Sequence, residues 1–217
     1  MSRPVQYTNG TVEFFGRIFA TDARALIPRF ETEFLVSVTV AWCQKDPQRS
    51  WSIIEVGTGS GVITISLALE LPTARITAID NSEAALALAR ENSLRHDVED
   101  RIQLLRGDLL SGFNGPMDVL VANLPYIPTE RIPRLDASVR DFEPSQALDG
   151  GPDGLDLYRR LLGQLATRDT KPAFCIFEID EGQGSVMKKE IQKYFPTARI
   201  EIKKDTSDFE RYAVIQL

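Results

Sequence analysis

From residue 51 onward the chain alternates short, continuous apolar runs with amphipathic stretches. The runs at 51–56, 74–79, 102–105 and 117–122 each end at a polar residue or a glycine break. Runs of that length predict strands covered on both faces of a parallel sheet. Between them, apolar residues recur at three- and four-residue spacing over 62–71 and 83–94, which predicts helices. The alternation continues with a helix over 155–166, a strand over 173–179 and a helix over 183–194. Two further strands, 198–202 and 212–216, follow with no helix between them and predict a terminal antiparallel hairpin. Upstream, 13–20 is aromatic and apolar, as expected of a short strand or hairpin. Pro28 forces an extended approach to a helix that begins at Glu31, with Phe34, Leu35, Val38, Ala41 and Trp42 on one face. Residues 1–10 are polar and read as loose, with flexibility expected to about residue 12. The stretch 127–154 is rich in Pro, Asp and Gly and lacks any period, which marks a functional loop or a lid. The fold class expected is α/β: a mostly parallel seven-stranded sheet, helices on both faces, and a C-terminal antiparallel hairpin, in one domain over 1–217.

Composition narrows the function. With 25 basic and 31 acidic side chains, the net charge of −6 argues against a surface built to grip nucleic-acid phosphates. The two cysteines, Cys43 and Cys175, lie in apolar segments and form no metal-binding pair. The single histidine, His96, rules out histidine triads and multi-histidine metal sites by count, and no metal is expected. A signal pattern and an apolar run long enough for a membrane span are both missing, which points to the cytoplasm.

The candidate chemistry sits where the predicted strands end. Glu55, Asp80, Asp108 and Asn123 fall at four successive strand termini, the edge of an α/β sheet where ligands bind. Residues Glu55, Gly57, Thr58, Gly59, Ser60 and Gly61 form a strand-to-helix loop of the form G-x-G-x-G, the spacing associated with S-adenosylmethionine (SAM) enzymes. A dinucleotide loop would instead space its glycines G-x-G-x-x-G. Glu55 can hold the cationic amino group of SAM, and Asp80, with Asn81 beside it, can bind ribose hydroxyls. Asp108 can accept the adenine amino hydrogens while Leu109 packs near the ring. Asn123, Leu124, Pro125 and Tyr126 make a cradle for a planar NH2 group: a side-chain carbonyl, a backbone carbonyl, a stiff proline and a flat aromatic face. On its own, this tetrapeptide reads more readily as a strand-ending turn, and only its place beside the other strand-end residues favours a site.

Several separate blocks from Phe14 onward resemble the HemK/PrmC family of protein-glutamine N5-methyltransferases. Residues 26–33, Leu-Ile-Pro-Arg-Phe-Glu-Thr-Glu, look like that family's Leu-Ile-Pro-Arg-Pro-Glu-Thr-Glu, with Phe30 where proline is usual. Asn123-Leu124-Pro125-Tyr126 is similar to its Asn-Pro-Pro-Tyr signature, with Leu124 in place of the first proline. Glu143-Pro144, Ala147-Leu148 and the glycines from 150 to 154 resemble its later loop, and Phe177-Glu178, Gln183, Lys204-Asp205 and Arg211 its last blocks. The resemblance implies a Rossmann-like class I SAM-dependent methyltransferase fold, SAM as cofactor and S-adenosylhomocysteine as product. It implies a peptide chain release factor as protein substrate, methylated on the glutamine of a Gly-Gly-Gln motif. Asn123, Pro125 and Tyr126 would be catalytic, Leu124 and Arg29 would join them in binding substrate, and Asn123 would also contact the cofactor. The family's helical N-terminal domain has no counterpart here, so a separate docking partner in its place is also implied. Two other readings fit the cradle: amino methylation of adenine or guanine in a nucleic acid, and methylation of another protein substrate; a SAM-binding regulatory subunit without activity would not need Asn123 and Tyr126.

Overall fold

The computed structural model describes residues 3–217. Contrary to the loose N-terminus expected, α1 (Val5–Asn9) is a short helix that ends where Gly10 takes φ 70. Tyr7 holds it down: the side chain is buried and its hydroxyl donates to the Ala25 carbonyl at 2.6 Å. A hairpin follows at once, β1 (Thr11–Phe14) paired antiparallel with β2 (Arg17–Ala20). The flexibility expected of residues 1 and 2 lies outside the described residues.

A 3-10 turn over Phe30–Thr32 leads into α2 (Glu33–Cys43), two residues later than the period suggested. The alternating part then reads β3 (Ser52–Val56), α3 (Val62–Glu70), β4 (Arg75–Asp80), α4 (Glu83–Arg95), β5 (Ile102–Arg106) and β6 (Val119–Ala122). The stretch 127–154 holds no strand but is not structureless. Two 3-10 turns, Thr129–Arg134 and Ser145–Ala147, flank α5 (Ala137–Arg140), and a parallel bridge joins Ile127 to Asp149. The chain closes with α6 (Asp156–Ala166), β7 (Phe174–Glu178), α7 (Gly184–Tyr194), β8 (Arg199–Lys204) and β9 (Glu210–Gln216).

Seven strands form one sheet in the order β5-β4-β3-β6-β7-β9-β8. The first five are parallel, and β9 lies antiparallel between β7 and β8, which is the hairpin expected. Side-chain alternation along each strand sorts the core into two layers. Ile53, Val119, Val121, Phe174 and Ile176 face α2 and α3, while Ile54, Leu120, Cys175 and Phe177 face α6 and α7. The same parity puts two acids on the α2–α3 face: Glu55 beyond Ile53, and Glu178 beyond Ile176. The strand order reverses between β3 and β6, so a crevice opens beyond their carboxyl ends. The glycine loop leaves β3 on one side of that crevice, and the 123–126 segment leaves β6 on the other.

Candidate active site

The crevice is a cleft open to solvent. Its walls include Glu55, Gly57, Thr58, Gly59, Ser60, Asp80, Asn81, Asp108, Leu109, Asn123, Leu124, Pro125, Arg29 and Thr32. Nearly all the residues expected to bind cofactor or substrate therefore meet in one place.

The glycine loop is held from below by Glu55. Its Oε2 accepts from Thr58 Oγ1 at 2.9 Å, from the Thr64 amide at 3.0 Å and from the Thr64 hydroxyl. All three bonds fall on one oxygen, which leaves Oε1 for a ligand. Burial pushes this carboxyl up to about 7, against the pull of the two threonines. Asp80 bridges the loop to the next turn: Oδ2 accepts the Gly59 amide and Oδ1 the Ser82 amide, each at 2.9 Å. Ser82, not Asp80, caps α4, its hydroxyl accepting from Ala85. Asn92, fully buried on α4, donates to the Ser60 carbonyl at 2.9 Å and pairs with both backbone polar groups of Ala20. It ties the hairpin to the loop, a role that no local pattern announces. Gly61 opens α3 at φ 83, and a Cβ there would press on the Ala89 backbone of α4.

The donor set and the bare glycine backbone fit a SAM molecule: a carboxylate oxygen for its ammonium, a second acid beside the loop for its ribose, and an apolar wall. Asp108 stands at the cleft wall, its carboxylate half exposed and paired with Arg160 of α6. Leu109 is buried in the adjoining core and adopts φ 56, an uncommon conformation for a residue with a side chain.

On the other wall, Leu124 sits with its side chain buried and its amide donating to Tyr158 Oη at 3.1 Å. A proline in this position has no N–H, so leucine gives the cradle a bond that the usual signature lacks. Asn123 Nδ2 donates to Thr32 Oγ1 at 3.1 Å. Thr32 in turn donates to Glu178 Oε2 at 2.8 Å, and Tyr126 Oη donates to Glu178 Oε1 at 3.1 Å. Tyr126 is therefore anchored by its hydroxyl, below the cleft wall that Asn123, Leu124 and Pro125 line. Glu178 is the site residue that strand-end reasoning passed over. The signal was present, since it ends the apolar run Phe174 to Phe177 as Glu55 interrupts its own. Arg29 reaches the cleft but is anchored on Glu143 at 2.6 Å, and Glu143 also accepts the Ile27 amide at 3.0 Å. Those bonds fasten the 127–154 segment beside the cleft, where Pro144, Gln146 and Ala147 join the lining.

Glu178 gives a pH-dependent signature. Burial raises its carboxyl from 4.5 to about 7, opposed by the Thr32 and Tyr126 hydroxyls and by Arg211, and reinforced by Glu31. A carboxyl with a raised folded-state pKa stabilises most below its unfolded value and loses that contribution as pH climbs through the folded value. Relative to Glu178→Gln, the wild-type chain should lose stability between about pH 4.5 and 7 and hold level above. The expected swing is on the order of 1–3 kcal/mol, read from urea midpoints of the two proteins across that range. A flat difference would show that Glu178 is ionised in the fold throughout.

A mostly parallel sheet with a G-x-G-x-G loop and an amide cradle facing each other across its switch point defines a Rossmann-like methyltransferase. The comparisons with known proteins specify which. Residues 36–135 match the model of the ribosomal protein L11 methyltransferase family, PrmA, which is less than half of the chain. A release factor glutamine methyltransferase of Moorella thermoacetica is 45% identical over 186 residues, covering 85% of this chain and 65% of that protein. One from Bacillus cereus is 36% identical over 218 residues, 99% of this chain and 76% of its own length. Among solved structures, the release factor-specific protein-(glutamine-N5) methyltransferase of Alicyclobacillus acidocaldarius superposes with a TM-score of 0.53 at 26% identity. That match covers 91% of this chain and 98% of the other. The hMettl16 catalytic domain reaches 0.71 at 12% identity, over 98% and 89% of the two chains, a likeness of fold alone. This chain belongs to the family of release factor glutamine methyltransferases. The shorter L11-family match runs from α2 to just past the cradle.

Proposed function

We propose that this chain transfers the methyl group of SAM to the side-chain amide nitrogen of the glutamine in the Gly-Gly-Gln motif of a peptide chain release factor. One observation carries the reading. At the cleft wall, the Asn123 side-chain oxygen and the Leu124 backbone carbonyl take no hydrogen bond from any described residue. Two adjacent acceptors are what a planar NH2 group needs.

SAM, when bound, supplies a methyl group on a cationic sulfur. Glu55 and Asp80 would hold its ammonium and ribose, and the bare backbone at Gly57 and Gly59 allows close approach. The chemical difficulty lies in the acceptor, because an amide nitrogen shares its lone pair with the carbonyl. Asn123 and Leu124 each take one N–H and so aim the nitrogen along the transfer line. Pro125 stiffens the segment, and the anchored Tyr126 fixes its far end. Orientation of this kind supplies up to roughly 7–11 kcal/mol in well-aligned reactions. The nitrogen becomes acidic once methylated and sheds its proton without a strong base. The acidic balance of the chain favours a protein acceptor over a nucleic acid.

Mass spectrometry of a release factor incubated with this protein and labelled SAM tests the proposal. A gain of one methyl group on the Gly-Gly-Gln glutamine is expected. Labelled RNA or DNA with an unlabelled release factor would instead establish nucleobase methylation.

A further inference from the structure

Asn123 can serve the acceptor nitrogen only if its amide is turned the right way. The two branches of an asparagine amide have nearly the same shape, so packing alone does not choose which one faces the cleft. A hydrogen-bond chain makes the choice here. With Glu178 ionised, as it is above about pH 7, the one proton of the Thr32 hydroxyl goes to Glu178 Oε2 at 2.8 Å. The lone pairs left on Thr32 face Asn123 at 3.1 Å, where only the NH2 branch can satisfy them. The carbonyl branch is thereby left for the cleft. Tyr126 closes the chain from the other end by donating to the second Glu178 oxygen. Thr32 and Glu178 are 3% and 1% exposed, so water does not compete for these bonds.

We propose that Thr32, braced by Glu178, is a positioning residue for methyl transfer that fixes the Asn123 carbonyl toward the acceptor nitrogen. This rests on the reading of Asn123 as the acceptor of a substrate N–H. Without the Thr32 hydroxyl the amide is free to turn and offer its NH2 to the NH2 of the substrate, a donor facing a donor. Supporting contacts one step removed from a reacting group typically cost about 10–100-fold when deleted at metal sites, and the lower end applies to a single neutral bond.

The test is a double-mutant cycle. Thr32→Val, Thr32→Ala and Thr32→Ser are each measured alone and combined with Asn123→Ala, for kcat and KM on a release factor and for SAM affinity. Thr32→Val and Thr32→Ala should lower kcat about 10-fold and leave SAM affinity within about twofold, while Thr32→Ser stays near wild type. In the Asn123→Ala background, loss of the hydroxyl should cost nothing further. An equal loss in both backgrounds, or Thr32→Ser as poor as Thr32→Val, would overturn the proposal. If Thr32→Val does not fold, Thr32→Ala removes the same hydroxyl without added bulk. Solvent exchange of the Asn123 side-chain NH2 reads the bond independently of any acceptor, and should be slow in wild type and faster in Thr32→Ala. A wild-type chain that leaves the release factor unmethylated yet keeps this exchange pattern would sink the substrate reading alone. Equal exchange in the two proteins would sink the positioning role.

Discussion

Replacing Asn123 by alanine is expected to lower turnover by about 10²-fold, the scale of deleting one preorganised polar group at a reacting centre. SAM should still bind, because the bonds by which Glu55 and Asp80 hold the glycine loop do not involve the Asn123 side chain. Asp80→Ala should show the reverse split. Its carboxylate accepts the Gly59 and Ser82 amides, so its loss slackens the glycine loop and weakens SAM affinity before it affects the methylated nitrogen. Calorimetric titration with SAM, alongside single-turnover methylation of a release factor, separates the two. Full turnover in Asn123→Ala would remove the cradle from the mechanism.

The second large effect is expected at Gly154, a position with no chemistry of its own. Gly154 has φ +81, and a Cβ there would fall on the Tyr126 carbonyl oxygen and come within 2.5 Å of Gln183 Nε2. Gln183 uses that nitrogen to clasp the Tyr126 and Asp153 carbonyls, at 2.9 and 3.0 Å. Gly154→Ala must therefore displace the segment that carries the cradle. Gly182 provides the control, since it has φ +77 with no atom within 4 Å of its would-be Cβ. Gly182→Ala should cost only the left-handed penalty of roughly 1–2 kcal/mol. Gly154→Ala should cost on the order of 3 kcal/mol or more, the range of clashes that the backbone must relieve. In a chain of this size that is a fall of roughly 6–12 °C in Tm. The fraction still folded should turn over at least tenfold more slowly, because Tyr126 and Asn123 shift with the clasp. Equal Tm values for the two variants would mean that the loop moves aside freely.

These two positions illustrate what could be read from the chain alone. The sheet was legible because strand periods and strand-end polar residues are local signals: Glu55, Asp80 and Asn123 announced themselves as exceptions in apolar runs. The antiparallel pairing of β9 followed from a missing helix. Partners distant in sequence were not legible. Thr32 lies 146 residues from Glu178, and Asn92 lies 72 from Ala20, so no window contains either pair. Asp108 was placed at the right strand end, but the direction of its side chain depends on Arg160, 52 residues away. The N-terminal helix was missed for a different reason. Five residues are too few to show a period, and the helix stands through the single buried Tyr7 rather than through propensity.

The contact between Gly57 and Leu124 bears on any attempt to re-engineer this site. A Cβ at position 57 would stand 2.9 Å from the Leu124 Cδ2 and 3.4 Å from the Asn123 carbonyl oxygen. The donor loop and the acceptor cradle thus pack directly on each other where they meet, the Gly57 backbone against the Leu124 side chain. Grafting a cradle from another methyltransferase, or enlarging the loop to take a bulkier alkyl donor, disturbs both loop and cradle at once. Libraries aimed at new acceptors should therefore vary positions 57 and 124 jointly.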